Sequence, residues 1–116
     1  MIRNAVLACA AIGCLATPLF AHAMLEHAQP GAGAKVAPSP RAVVLNFTEK
    51  LEPVFSGVAV SDRSGHSVEA GPVVVSGKSM EALLRRLSPG TYRVAWHAVS
   101  VDTHRTEGMY SFTIRP

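Results

Sequence analysis

The chain has 116 residues, of which 48% are hydrophobic and 16% charged, with a formal net charge of +3. That length suits one domain and leaves little room for a second. The basic residues are scattered, Arg85-Arg86 being the only adjacent pair and readable as a solvated strand edge, and no aromatic side chains interleave with them, so a nucleic-acid-binding surface is excluded.

The chain opens like a secretory signal: a basic start at Arg3, an apolar run over residues 5–15, a break at Thr17-Pro18, then small residues at Ala21 and Ala23. The run falls short of the ~20 residues that span a bilayer, and no later segment is long enough, so a soluble exported protein is expected. Both cysteines, Cys9 and Cys14, lie in this segment. The exported chain therefore has no disulfide framework and no thiolate metal site. Cleavage can be drawn after Ala21, leaving His22 first, or after Ala23, leaving Met24 first. The two cuts differ chemically, because a terminal histidine offers its free amine and its imidazole to one metal ion. Starting at His22, the domain comprises residues 22–116, and loss of Arg3 brings the formal charge to +2.

Residues 22–30 predict a short first strand with Met24 or Leu25 buried and an end at Pro30. A turn follows over residues 31–34. The alternation of Val43, Leu45 and Phe47 predicts a strand with one inward face. Beyond a loop at residues 51–53, Phe55, Val58 and Val60 predict another strand, with a bulge at Gly57. Residues 63–65 form a turn, and residues 66–75 a weaker strand broken at Gly71-Pro72. Residues 79–87 are ambiguous, since Met80, Leu83, Leu84 and Leu87 also fit a helical period, but nine residues between Gly77 and Pro89-Gly90 favour a strand with Met80, Ala82 and Leu84 or Leu87 inward. A tight turn at residues 88–91 leads into two alternating runs, Tyr92/Val94/Trp96/Ala98 and Tyr110/Phe112/Ile114. Turn signals recurring every ten or so residues, with no long amphipathic helix, indicate an all-β protein: an Ig-like antiparallel sandwich of about seven strands with Greek-key connections.

Between the last two runs, Asp102 and His104 stand two residues apart on a short polar loop. A carboxylate and an imidazole at D-x-H spacing can face one ion, but they make an incomplete site, and alone such a pair is more often solvated surface. No Ser/His/Asp or Cys/His nucleophile pattern is evident. Gly31-Ala32-Gly33 lacks the helix and Lys-Ser/Thr of a phosphate loop.

These segments together, the stretch from His22 through Val36, then VVLNFTEKLEP and FSGVAV, and most specifically the block over residues 87–114, resemble the CopC family of periplasmic copper-binding, copper-resistance proteins. The resemblance covers essentially the whole exported chain. It implies an Ig-like fold, a periplasmic location, cleavage between Ala21 and His22, and one Cu(II) ion held by His22 through amine and imidazole, by Asp102 and by His104. It also implies that Glu49 lies near the metal, as a weak ligand or a neighbour of the ligands. Three nitrogens and one oxygen suit the tetragonal preference of Cu(II). Copper would be sequestered or delivered by a monomer without enzymatic activity, and the partner implied is an inner-membrane CopD-type protein. Family members that also bind Cu(I) carry a methionine-rich loop; here only Met24, Met80 and Met109 follow the initiator, far apart, so a separate Cu(I) site is not expected. Met24 and Met109 are read as packing residues. His27 and His66 are read as exposed, His97 as a core residue or a neighbour of the site, and Trp96, Tyr92, Tyr110 and Phe112 as core. Two other classes remain open: an oxidative copper enzyme of the N-terminal-histidine type, which would consume oxygen with ascorbate, and a metal-free Ig-like assembly module, which would give no heat with Cu(II).

Overall fold

A computed structural model describes residues 22–116. Its strands are β1 (Leu25–Gln29), β2 (Lys35–Val36), β3 (Ala42–Phe47), β4 (Gly57–Ser61), β5 (Val74–Ser76), β6 (Ser79–Leu83), β7 (Gly90–Val99) and β8 (Arg105–Ile114). They form two four-stranded sheets, ordered β1-β3-β6-β5 and β2-β8-β7-β4. Every pairing is antiparallel except that of the two-residue β2 with β8. The chain passes repeatedly from one sheet to the other, so β3 lies beside β6 and β1 rather than beside its neighbours in sequence. Seven antiparallel strands and one short parallel edge thus make the expected all-β sandwich.

Alternation decides which side chains close it. In β3, Val43, Leu45 and Phe47 are buried, and in β6 Met80 and Ala82 face them, followed by Leu84 and Leu87 beyond the strand. The ambiguous segment is therefore extended, and both candidate leucines point inward. From the other sheet come Val58, Val60, Tyr92, Val94, Ala98, Phe112 and Ile114. Burying a side chain of this kind stabilises the fold by about 1.5–3 kcal/mol, which is why period-two patterning fixes the pairing register.

Four local expectations are corrected. Phe55 is 60% exposed in a 3-10 turn, Pro53–Phe55, because Pro53 cannot donate to a ladder and ends the extended run before β4 starts. Gly57 sits in regular register opposite His97, not at a bulge; a Cβ there would lie 3.1 Å from His97 Cε1, so the glycine makes room for the ring. The register shift falls instead in β1, between Leu25 and His27. That shift turns the N-terminal parity: Ala23 is fully buried, Leu25 half-buried and Met24 55% exposed. Finally, residues 66–73 make only isolated bridges, Ser61 with Ser67 and Glu69 with Leu84, before β5 begins at Val74, since Gly71-Pro72 interrupts any ladder.

β7 and β8 pair over ten residues and carry the loop with Asp102 and His104 at one end of the sandwich. Trp96 reaches inward over Gly108 and meets Phe47 edge to face at 5.1 Å. A Cβ at Gly108 would lie 2.6 Å from the indole, so the glycine is a condition of that packing.

Candidate metal centre

Three segments meet at the end of the sandwich where β7 gives way to β8. The first is the loop itself. The Ser100 N–H donates to the His104 carbonyl at 3.0 Å and the Thr103 N–H to the Ser100 carbonyl at 2.7 Å, a tight reversal that puts Thr103 at φ 72°. Ser100 is only 1% exposed. Its hydroxyl donates to Asp102 Oδ1, which fixes the carboxylate on the rim of the loop. That hydrogen bond is the leading reason the Asp102 carboxyl is held below its ordinary range, with the neighbouring His104 adding to the effect.

The second segment follows β3. The Val101 N–H donates to the Lys50 carbonyl at 3.2 Å, and Leu51 bridges to Ser100. The third is the stretch before β1. Thr48 clasps it twice, its N–H donating to the Met24 carbonyl at 2.9 Å and its Oγ1 accepting the Met24 N–H at 3.0 Å. The same hydroxyl donates to the His22 carbonyl at 3.2 Å, and the Thr106 hydroxyl of β8 donates to the Ala23 carbonyl at 2.7 Å. With Ala23 buried as an anchor, these bonds fold His22 back over the final hairpin.

The result is a juxtaposition of residues distant in sequence. The rings of His22 and His104 lie 4.6 Å apart, tilted by 37°, and His104 Nδ1 is 3.3 Å from Asp102 Oδ1. The His104 and Asp102 side chains are 42% and 40% exposed, while His104 Nδ1 itself is buried on the side facing Asp102. Glu49 is half-buried between Thr48 and Lys50, both hydrogen-bonded into this corner, and its carboxylate makes no ion pair among the described residues. Among the described residues no three His, Cys, Asp or Glu side chains yet converge on one point as ligands.

The remaining histidines stand apart. His27 is exposed on β1 opposite Asn46, and His66 is exposed with its Nδ1 3.8 Å from Asp62. His97 faces Gly57 and Glu107 across the strands, on the side away from Trp96. Met80 is fully buried, but Met24 and Met109 are 55% and 62% exposed, which corrects the packing role expected of them. The hydroxyls of Thr48, Ser100 and Thr106 were not anticipated. For Ser100 a signal existed: it continues the inward parity of Tyr92, Val94, Trp96 and Ala98.

A small two-sheet sandwich whose N-terminal segment is clasped over a D-x-H hairpin loop defines a class of β-domain with imidazole and carboxylate side chains gathered at one end. The chain belongs to the CopC family, the CopC domain matching residues 25–115. It is 39% identical over 106 residues to Protein YobA of Escherichia coli strain K12, covering 87% of this chain and 86% of that one. Its fold is similar to that of the crystal structure of CopC from Methylosinus trichosporium OB3b, with a TM-score of 0.75 and 32% identity over 82% of this chain and 95% of that one. PcoC, a methionine-rich copper resistance protein from Escherichia coli, is similar with a TM-score of 0.69 and 40% identity, covering 82% of this chain and all of that one. Among the described residues no helix is long and apolar enough to cross a membrane.

Proposed function

We propose that the protein is a periplasmic Cu(II)-binding protein that sequesters copper or delivers it to a CopD-type inner-membrane partner, acting as a monomer and without catalysis. Cleavage between Ala21 and His22, which lies at the edge of the described residues, creates the site. The amine and imidazole of His22, the Asp102 carboxylate and the His104 imidazole then take the ion, with Glu49 as a weak ligand or a neighbour of the ligands. The observation that carries this reading is the His22–His104 ring contact at 4.6 Å beside Asp102, across 82 positions of sequence.

While His22 is joined to Ala21 its nitrogen is a peptide N–H and no donor, so the amine becomes available to a metal only after cleavage. Solvent-exposed rings can swing to one ion once the amine is free. Cu(II) heads the divalent series for such nitrogen and oxygen donors, and all of them must be deprotonated to bind, so affinity should fall as pH falls. The likeness to proteins named for copper resistance supports the choice of metal.

The test compares the chain beginning at His22 with one that retains a single alanine before it, by titration with Cu(II) against a competing chelator. The first should bind one equivalent, and the second should lose more than the ~10–100-fold that removal of an outer partner of a metal ligand costs. Equal affinity of the two would remove the amine, and with it this site.

A further inference from the structure

Charge is divided unequally between the two ends of the sandwich. Following the strand registers, the end that bears the His22–His104 contact carries Lys50, Lys78 and Arg105 against Glu26, Glu49, Glu52, Asp102 and Glu107. At the opposite end lie Lys35 of β2, Arg41 before β3 and Arg63 after β4. Arg85 and Arg86 after β6, Arg93 in the first half of β7 and Arg115 after β8 join them, and only Asp62 and Glu69 oppose. With Glu81 midway, a domain of formal charge +2 carries −2 at one end and +5 at the other. All seven cations of the basic end are exposed, and among the described residues none is in an ion pair.

This end holds a cavity of about 580 Å³ lined by Arg41, Arg85 and Arg86 together with Pro38, Pro40 and Leu83, and by no carboxylate. Leu83 is 52% exposed on its rim, and the Arg85 guanidinium is steadied by the Ser67 carbonyl. We infer that the basic end is a docking surface for an anionic phospholipid bilayer. Three of the seven cations line the cavity and the other four, Lys35, Arg63, Arg93 and Arg115, come from separate segments around the end, a spread that suits a plane of phosphates better than a single acidic peptide. Basic side chains near such a plane add their attractions, and an exposed leucine framed by prolines can reach the headgroup boundary. Tyr92, which lies among these arginines, is only 6% exposed and offers no face on which to stack a base, which sets nucleic acid aside. Docked this way, the protein holds its His22 end toward solvent. The inference draws on charge and shape alone and stands whether or not copper binds.

The experiment is cosedimentation of the exported chain, its first residue verified by mass spectrometry, with phosphatidylcholine vesicles containing or lacking phosphatidylglycerol. Binding should require phosphatidylglycerol and vanish at about 0.5 M salt. The triple variant Arg41→Gln/Arg85→Gln/Arg86→Gln should lose roughly 30- to 100-fold in partitioning at low salt, and Lys50→Gln/Lys78→Gln/Arg105→Gln, with the same change of net charge, less than about 3-fold. Replacing the three arginines by lysine should preserve binding, because a bilayer reads charge and not the guanidinium fork. Three results overturn the inference: no binding to phosphatidylglycerol vesicles, equal losses in the two glutamine variants, or failure of the lysine variant to bind, which would mean a discrete ligand held by geometry.

Discussion

The two ends of the sandwich are closed by the same strands and by the same device, a side-chain hydroxyl bonded to a backbone carbonyl, yet they present opposite chemistry. At one end Thr106 and Thr48 hold the N-terminal segment and thereby bring His22 against His104. At the other, Tyr110 donates to the Pro30 carbonyl at 2.8 Å and Tyr92 to the Ser88 carbonyl at 2.7 Å, and these bonds secure turns while leaving the arginines splayed in solvent. The difference teaches that a clasp becomes functional by what it clasps. At the first end the clasp brings side chains remote in sequence together, whereas at the second the turns between strands spread their charges over a face.

The His22 end is tied to the core through Phe47, and this can be broken most forcefully there. Phe47 is 1% exposed and supports Trp96, so Phe47→Ala should cost about 3–5 kcal/mol in denaturant unfolding and loosen the corner that Thr48 clasps. A cost below about 1 kcal/mol would mean that this corner is independent of the core. Next in size comes Gly108→Ala, which drives a methyl to within 2.6 Å of the indole and should cost about 1–3 kcal/mol. Gly71→Ala, whose Cβ would meet nothing within 4 Å, should stay within about 0.5 kcal/mol of the parent.

The clasps themselves give a matched pair. Thr106→Val and Tyr110→Phe each delete one hydroxyl-to-carbonyl bond and should each cost about 0.5–1.5 kcal/mol. Only Thr106→Val should weaken Cu(II) binding, by roughly tenfold, since only that bond positions the segment bearing His22. Tyr110→Phe has its own signature in alkali. Burial raises the Tyr110 hydroxyl from 10.0 to about 12, above its unfolded value, so its contribution is complete below about pH 10 and is lost as pH rises toward 12. Thermal melts across that interval should show this loss in the parent and not in the phenylalanine variant.

How far the sequence reveals all this depends on the kind of signal. Strict alternation in β3 and in the β7–β8 hairpin reports burial directly, so Val43, Leu45, Phe47 and the aromatic faces were legible, and the D-x-H loop could be placed between two strands before its geometry was known. Where alternation is broken, local reading failed. The shift in β1 inverted the parity at Ala23 and Met24, Pro53 turned Phe55 outward, and Gly57 answered to a ring across the strand that no local pattern discloses. The joining of His22 to His104 is a tertiary fact, implied by family resemblance and by nothing in their spacing. The hydroxyls that enforce it are ordinary Ser and Thr in sequence, and the division of charge between the ends is invisible until the strands are registered, because basic residues from separate segments meet only in space.

The smallest expected effects come from two carboxylates, one at each end, that share a titration and differ in purpose. Asp102 is lowered chiefly by the Ser100 hydroxyl, and Asp62 chiefly by the His66 N–H, with the Ser64 N–H also donating at 2.9 Å. Both start from an unfolded value near 3.8, and a folded value below it means stability that is present above about pH 4 and lost as pH falls through the folded value. Asp102→Asn and Asp62→Asn should therefore melt slightly below the parent at neutral pH, with each gap closing under about pH 4 in metal-free melts. Their stability effects should be alike because both carboxylates are fixed at the surface by hydrogen bonds within one loop. Copper should separate them: Asp102→Asn removes an anionic donor beside His104 and should weaken Cu(II) binding at least roughly tenfold, while Asp62→Asn, at the basic end, should leave it unchanged. Should both variants lower copper affinity equally, the ion would be sensing the charge of the domain rather than a donor at its His22 end.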